Sequence, residues 1–96
     1  RLEQGRKEFR FGQVDMVELL HQLLDGQVMR IEDAGMQLVR KIKAKVCPVE
    51  SDRDALEQIL LNLVDNAIKY AAEGKQLVVE LELEQEQCRV RVRDNA

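Results

Sequence analysis

The sequence predicts an α/β two-layer sandwich, with two amphipathic helices on one face of a mixed or antiparallel sheet of about four strands. Three observations carry this. Apolar residues recur at helical spacing from Met16 to Ile31, a second helical pattern runs through Leu56–Ala72, and apolar and charged residues alternate from Leu77 to Arg93. The chain has 96 residues, enough for one domain with a modest core. Phe9, Phe11 and Tyr70 are its only aromatic residues, so that core has to be Leu, Val and Ile.

Residues 1–8 are polar and read as a linker or the end of an incoming helix, leaving 9–96 as the domain. Phe9, Phe11 and Val14 suggest a short edge strand. Asp15 followed by Glu18 has the form of a capping box, whose carboxylates accept the free N–H groups of a first helical turn. Met16, Leu19, Leu20, Leu23, Leu24, Val28 and Ile31 then give one helix over 15–34, with Gly35 ending it in a left-handed conformation. Met36, Leu38, Ile42, Ala44 and Val46 alternate with polar residues as in a half-buried strand, with Arg40 the exception on the inward side and Pro48 closing it. Ser51 or Asp52 caps the second helix, which runs to about Ala72 with Gly74 as its stop.

The last segment reads as a hairpin. Leu77, Val79, Leu81 and Leu83 share one face with Cys88, Val90 and Val92, while Glu80, Glu82 and Glu84 share the other with Arg89, Arg91 and Arg93. An even-membered loop at Gln85 and Glu86 pairs Leu83 with Cys88, Leu81 with Val90, Val79 with Val92, Glu82 with Arg89 and Glu80 with Arg91. Without Gly or Asn, a four-residue loop is expected over a two-residue turn. Asp94 continues the face of Val90 and Val92, which the helices must cover, and a carboxylate there needs a donor.

Composition excludes several classes. Fifteen basic against eighteen acidic residues leave a net charge of -3, so no basic field for nucleic acid exists. The apolar runs are too short to span a bilayer. Cys47 and Cys88 lack CxxC spacing and accompany a single His, which disfavours zinc and suits two buried thiols in a reducing compartment. Starting at Arg1 and stopping at Ala96 directly after a strand, the chain reads as a piece of something longer.

The chemistry concentrates on the second helix. At about 100° per residue, Asn62, Asn66 and Lys69 fall on one polar stripe. Leu56, Leu60, Leu63, Val64 and Ala67 lie opposite, and Ile59 and Tyr70 flank the stripe. Asn disfavours a helix by about half a kcal/mol relative to Ala, so two of them one turn apart ask for a reason. One reading is a solvated face. The other is that the amides hold a divalent cation and phosphate oxygens while Lys69 neutralises phosphate. Spacing by itself favours the first.

Asn62-Leu63-Val64-Asp65-Asn66-Ala67-Ile68-Lys69-Tyr70-Ala71 resembles the N box of sensor histidine kinases, shared across the wider GHKL group of ATPases. Val46–Val49, Asp52 and the leucines before the box resemble the segment leading into it, and Val92-Arg93-Asp94-Asn95 resembles the start of the first glycine box. The resemblance implies the N-terminal half of a Bergerat-type ATP-binding fold, incomplete here, with ATP and magnesium as ligands. It places magnesium on Asn66, with Asn62 lining the same site. Relatives that hydrolyse ATP carry a Glu general base at the Asn62 position. An amide cannot take a proton at neutral pH, so Asn62 as the catalytic position favours phosphoryl transfer to a protein over hydrolysis. Lys69 would contact phosphate, Tyr70 would lie beside adenine or ribose, and Asp94 would accept from the adenine amino group. This requires the 62–69 ridge to face a ligand cavity shared with Asp94.

The same resemblance implies, for a parent protein, a dimerisation and phosphoacceptor domain, a response regulator receiver domain as partner, and a cytoplasmic location, the parent being anchored in the inner membrane. Ala96 stands where the family has Gly, and the later glycine-box, lid and strand segments are absent, so the isolated chain is expected to bind ATP weakly or not at all. His21 lacks the H-E-x-x-x-P setting of a phosphoacceptor and reads as an ordinary helix residue. Glu80, Glu82 and Glu84 read as a sheet face balanced by arginines. An anti-sigma-factor type GHKL kinase is the alternative within the group, disfavoured by Arg1–Gln13. A non-catalytic interaction module is the alternative outside it, supported by Ala96. An exposed sheet edge is expected to favour a homodimer.

Overall fold

The computed structural model describes residues 10–70 and 76–95. Phe9, the 1–8 linker, the helix end at Ala72, Gly74 and Ala96 lie outside the described residues. The elements in order are β1 (Gly12–Asp15), α1 (Met16–Asp25), α2 (Val28–Asp33), β2 (Gln37–Ile42), β3 (Pro48–Ser51), α3 (Arg53–Tyr70), β4 (Gln76–Glu84) and β5 (Gln87–Asn95). The α/β class holds. Its details differ from expectation: the described residues form five strands rather than about four, in two ladders rather than one sheet, with three helices rather than two.

β1 and β3 form an antiparallel pair, Val14 opposite Val49, while β2, β4 and β5 form a three-stranded sheet in the order β2-β4-β5. β2 runs parallel to β4 and β5 antiparallel to it. Pro48 opens β3 instead of closing the previous strand. Pro is tolerated at the first residue of a strand, where it removes no central ladder bond. β2 ends at Ile42 and is extended by the Lys43 N–H to the Leu81 carbonyl at 2.8 Å, so Val46 lies beyond it and is exposed.

The expected single helix over 15–34 is broken. Asp15 is the N-cap, its Oδ1 accepting from Val17 N at 3.1 Å, and Glu18 of the expected capping box reaches Arg53 of α3 at 3.4 Å. Gly26 and Gln27 then close the turn through N–H groups donating to Leu23 and Leu24 carbonyls at 3.2 and 2.9 Å. Gly inside a helix costs about 1 kcal/mol relative to Ala, and the apolar period alone does not reveal that cost. α2 restarts and places Ile31 fully in the core. Gly35 ends it as expected, at φ +80, with Met36 N donating to Ile31 O and Gly35 N to Glu32 O. That is the Schellman arrangement, closed by Met36 packing inward beside Ile31.

The hairpin register is the one expected, from Glu84 opposite Gln87 to Gln76 opposite Asn95. The loop is not. Gln85 and Glu86 form a two-residue turn with φ 50 and 65. Left-handed backbone costs a non-glycine residue about 1–2 kcal/mol, and the two nine-residue strands outweigh it.

Leu19, Leu20 and Leu24 of α1, Ile31, Leu60 and Val64 of α3, and Leu77, Val79 and Leu81 of β4 fill the core, with Met16, Met36 and Cys47 added to the expected aliphatics. Each large side chain so buried contributes about 1.5–3 kcal/mol. Arg40 does point inward from β2. Its guanidinium donates to His21 Nδ1 at 2.9 Å and Asp25 Oδ1 at 2.7 Å on α1. That contact accounts for His21 structurally. On the outer face the arginines reach diagonally: Arg93 Nε donates to Glu80 Oε1 at 2.9 Å and Arg89 reaches Glu84 at 3.9 Å, while Lys43 reaches Glu82 at 3.6 Å. The Arg93 hydrogen bond, with the charges of Arg93, Lys41 and Arg91 and against a burial effect, holds the Glu80 carboxyl below its ordinary 4.5.

Candidate functional site

The geometry of the site begins at Asp52, which is buried between β3 and α3. Its Oδ1 accepts from Ala55 N at 2.9 Å and its Oδ2 from Arg10 N at 2.7 Å. Of the two expected caps, Asp52 is the one used, and it both starts α3 and ties down the strand end before β1. Leu60 and Val64 then anchor α3 on the core. Arg53 links the start of α3 to Glu18 and Gln22 of α1, and Arg30 of α2 pairs with Asp65. The helix is held on its α1 side and against β5 beneath.

That phase turns Asn62, Asn66 and Lys69 away from the core, and all three are exposed. Asn62 Oδ1 accepts from Gln58 Nε2 at 3.2 Å, and Lys69 Nζ lies 5.3 Å from the Tyr70 ring centroid. Tyr70 is 73% exposed. Asp94 stands opposite Leu77 on β5, on the helix-facing side of the sheet as the register required. It is exposed, however, so the expectation of a covered carboxylate is not met among the described residues. Among the described residues the ridge is likewise open rather than walled. A cleft of about 250 Å³ lies on the opposite flank of α3, between it and α1, lined by Gln22, Leu23, Gly26, Gln27, Glu57 and Leu61.

Leu63 was expected to pack opposite the stripe. It is 40% exposed and joins Ile59, at 56%, and Tyr70 in an apolar shoulder between the ridge and the core. Its angular position, midway between the stripe and the Leu60–Val64 line, is the sequence signal for this. Amide oxygens, an ammonium and an adjoining apolar strip together suit a ligand with a charged, oxygen-rich end and a flat apolar end. Among the described residues no cluster of three His, Cys, Asp or Glu side chains is placed to hold a metal on its own. No described helix is long and apolar enough to cross a membrane.

Residues 51–96, which include α3 and every residue of this ridge, match the family of histidine kinase-, DNA gyrase B-, and HSP90-like ATPases. Through that segment the chain belongs to this family, in the form of a histidine kinase ATP-binding domain. Among relatives, the chain is similar to the histidine protein kinase DivJ of Caulobacter vibrioides, 34% identical over 79 residues, which is 82% of this chain and 13% of that protein. It therefore spans about an eighth of that relative's length. In structure it is similar to the catalytic domain of the histidine kinase ThkA, with a TM-score of 0.84 at 24% identity, covering 92% of this chain and 60% of that one. ThkA has also been solved in complex with the response regulator protein TrrA, with a TM-score of 0.81 at 24% identity over 90% of this chain and 26% of that one. Full-length ShkA with AMPPNP gives 0.76 at 24% identity, over 90% of this chain and 19% of that one.

Proposed function

We propose that this chain, over residues 9–96, supplies the N-terminal half of the ATP site of a sensor histidine kinase, with 1–8 a linker from a preceding helix. The observation that carries the proposal is that the family's N-box residues fall on one outward ridge of α3, above β5, which bears Asp94. Asn66 and Asn62 offer hard oxygen donors of the kind magnesium prefers, and magnesium keeps part of its water shell, so few protein ligands suffice. Bound there, the ion would neutralise phosphate charge. Lys69 would steady phosphate oxygens, Tyr70 and the Ile59–Leu63 shoulder would receive the base, and Asp94 would accept from an amino group on it. Asn62, an amide, holds no proton-accepting charge, which favours transfer to a protein His over hydrolysis. The acceptor His would lie in a different domain, as the family resemblance implies, and His21 is engaged with Arg40. The parent would pass the phosphoryl group to a response regulator, in the cytoplasm where ATP is available.

A ridge that the described residues leave open gives a ligand little enclosure. Calorimetry on the 96-residue chain is expected to give a dissociation constant for magnesium-ATP weaker than micromolar, and a micromolar or tighter value contradicts this. A non-catalytic interaction module is the second reading, favoured by Ala96 and the exposure of every ridge residue. β2 and β5 are edge strands among the described residues, and open edges recruit further strands. We propose homodimer formation through such an edge as concentration rises. Sedimentation is expected to show it, and a clean monomer at millimolar protein contradicts it.

A further inference from the structure

α1 and α2 meet α3 in step along its length. Arg53, at the start of α3, reaches Glu18 and Gln22 of α1, and Asp65, about three turns on, pairs with Arg30 of α2. Between these two crossings, about 18 Å apart along the helix, the elements part into the cleft floored by Leu23 and Leu61. Gly26 lines it too, and the backbone does not ask for glycine there. Its φ of -76 and ψ of -12 are right-handed helical values open to any residue, and a Cβ would lie 3.5 Å from the Leu23 carbonyl oxygen, an ordinary contact. Alanine would hold that conformation better. What glycine supplies is a gap where a side chain would stand.

Size and charge describe the occupant. The cleft holds about 250 Å³. Small-molecule sites usually enclose roughly 300–1,000 Å³, so this one suits a single anchoring side chain of a larger partner. Asp54, Glu57 and Asp65 share the Leu61 face of α3 at helical spacing, and Glu18 stands across from them on α1. Arg53 and Arg30 oppose these four carboxylates and are already paired with three of them, Arg53 with Glu18 and Glu57 and Arg30 with Asp65. The rim is therefore net acidic. A straight groove between helices, apolar at its floor and acidic at its rim, complements a helix whose apolar stripe is flanked by cations.

We propose that the α1–α3 cleft is a docking groove for a basic amphipathic helix of a partner protein. One leucine-sized side chain of that helix anchors over Leu23 and Leu61, and the missing side chain at Gly26 lets the two backbones approach. The groove lies on the flank of α3 opposite the ridge, so a helix seated in it leaves Asn66 and Lys69 uncovered.

The test titrates the isotope-labelled 96-residue chain with two synthetic helices of equal length. One carries a leucine stripe flanked by lysines, and the other has glutamates in place of the lysines. The lysine helix is expected to shift the side-chain amides of Gln22 and Gln27 and the backbone of Gly26 and Leu61, with Asn66 and Lys69 unmoved, and the glutamate helix to shift none of them. Gly26→Leu, which fills the gap, is expected to weaken the lysine helix about tenfold while melting no lower than the wild type. Glu57→Lys, a change at an exposed side chain, is expected to weaken the lysine helix and to gain binding of the glutamate helix, which a merely structural role for Glu57 would not produce. The proposal is overturned by a cleft that stays silent with the lysine helix in the millimolar range, by equal binding of the two helices, or by Gly26→Leu binding as the wild type does. Shifts gathered instead at Ile59, Leu63 and Tyr70 overturn it as well. So do cleft shifts that follow protein concentration with no peptide added, which assign the groove to a second copy of the chain.

Discussion

Leu81→Ala is expected to lower the stability of the chain by about 2–5 kcal/mol, from lost transfer energy plus the cavity left behind. Leu81 has no exposed surface, and it sits on the central strand β4 between Ile42 of β2 and Val90 of β5. A small domain has about 5–15 kcal/mol in total, so this one substitution brings it near the unfolding threshold. Urea denaturation is the check, with the midpoint moving and the slope unchanged. Leu83→Ala, two residues along the same face but half exposed at the hairpin end, is the control and is expected to cost well under about 1 kcal/mol. Equal costs at the two positions contradict the placement of the core.

Asp52→Ala is expected to cost about 1–3 kcal/mol. It deletes the cap on Ala55 N and leaves the Arg10 N–H, received by the same carboxylate, without that acceptor. Asn in its place keeps one acceptor for the cap and is expected to retain most of the stability. Thermal melting gives the size of the loss. Amide exchange gives its location, with protection falling first at residues 53–57, the turn that launches the ridge helix. A loss below about 0.5 kcal/mol, or one spread evenly over the chain, contradicts a capping role.

The hairpin was legible because two periods agree. Alternation fixes which face is apolar, and a slip of one residue would bury Glu80, Glu82 and their arginine partners. The turn was not legible, since Gln85 and Glu86 carry no left-handed preference and it is the strands that impose their conformation. The break at Gly26 was not legible for the opposite reason: the apolar period of α1 runs on through Val28 and Ile31, although the backbone does not. β3 was hidden by its brevity and by Pro48. At the site, the helical phase of Asn62, Asn66 and Lys69 was readable from spacing and their chemistry from the N-box resemblance. Exposure was not readable, because it depends on what else surrounds α3 and the end of β5.

Whether nucleotide addresses the outward ridge of α3 can be read directly by following nitrogen–proton correlation spectra of the labelled chain while magnesium-ATP is raised into the millimolar range. The expected result is a set of concentration-dependent shifts at the side-chain amides of Asn62 and Asn66 and at the backbone of Lys69, Tyr70 and Asp94, with Gln22 and Gln27 in the α1–α3 cleft unmoved. Shifts gathered in that cleft, or a ridge that stays silent at the highest nucleotide concentration, would contradict the assignment.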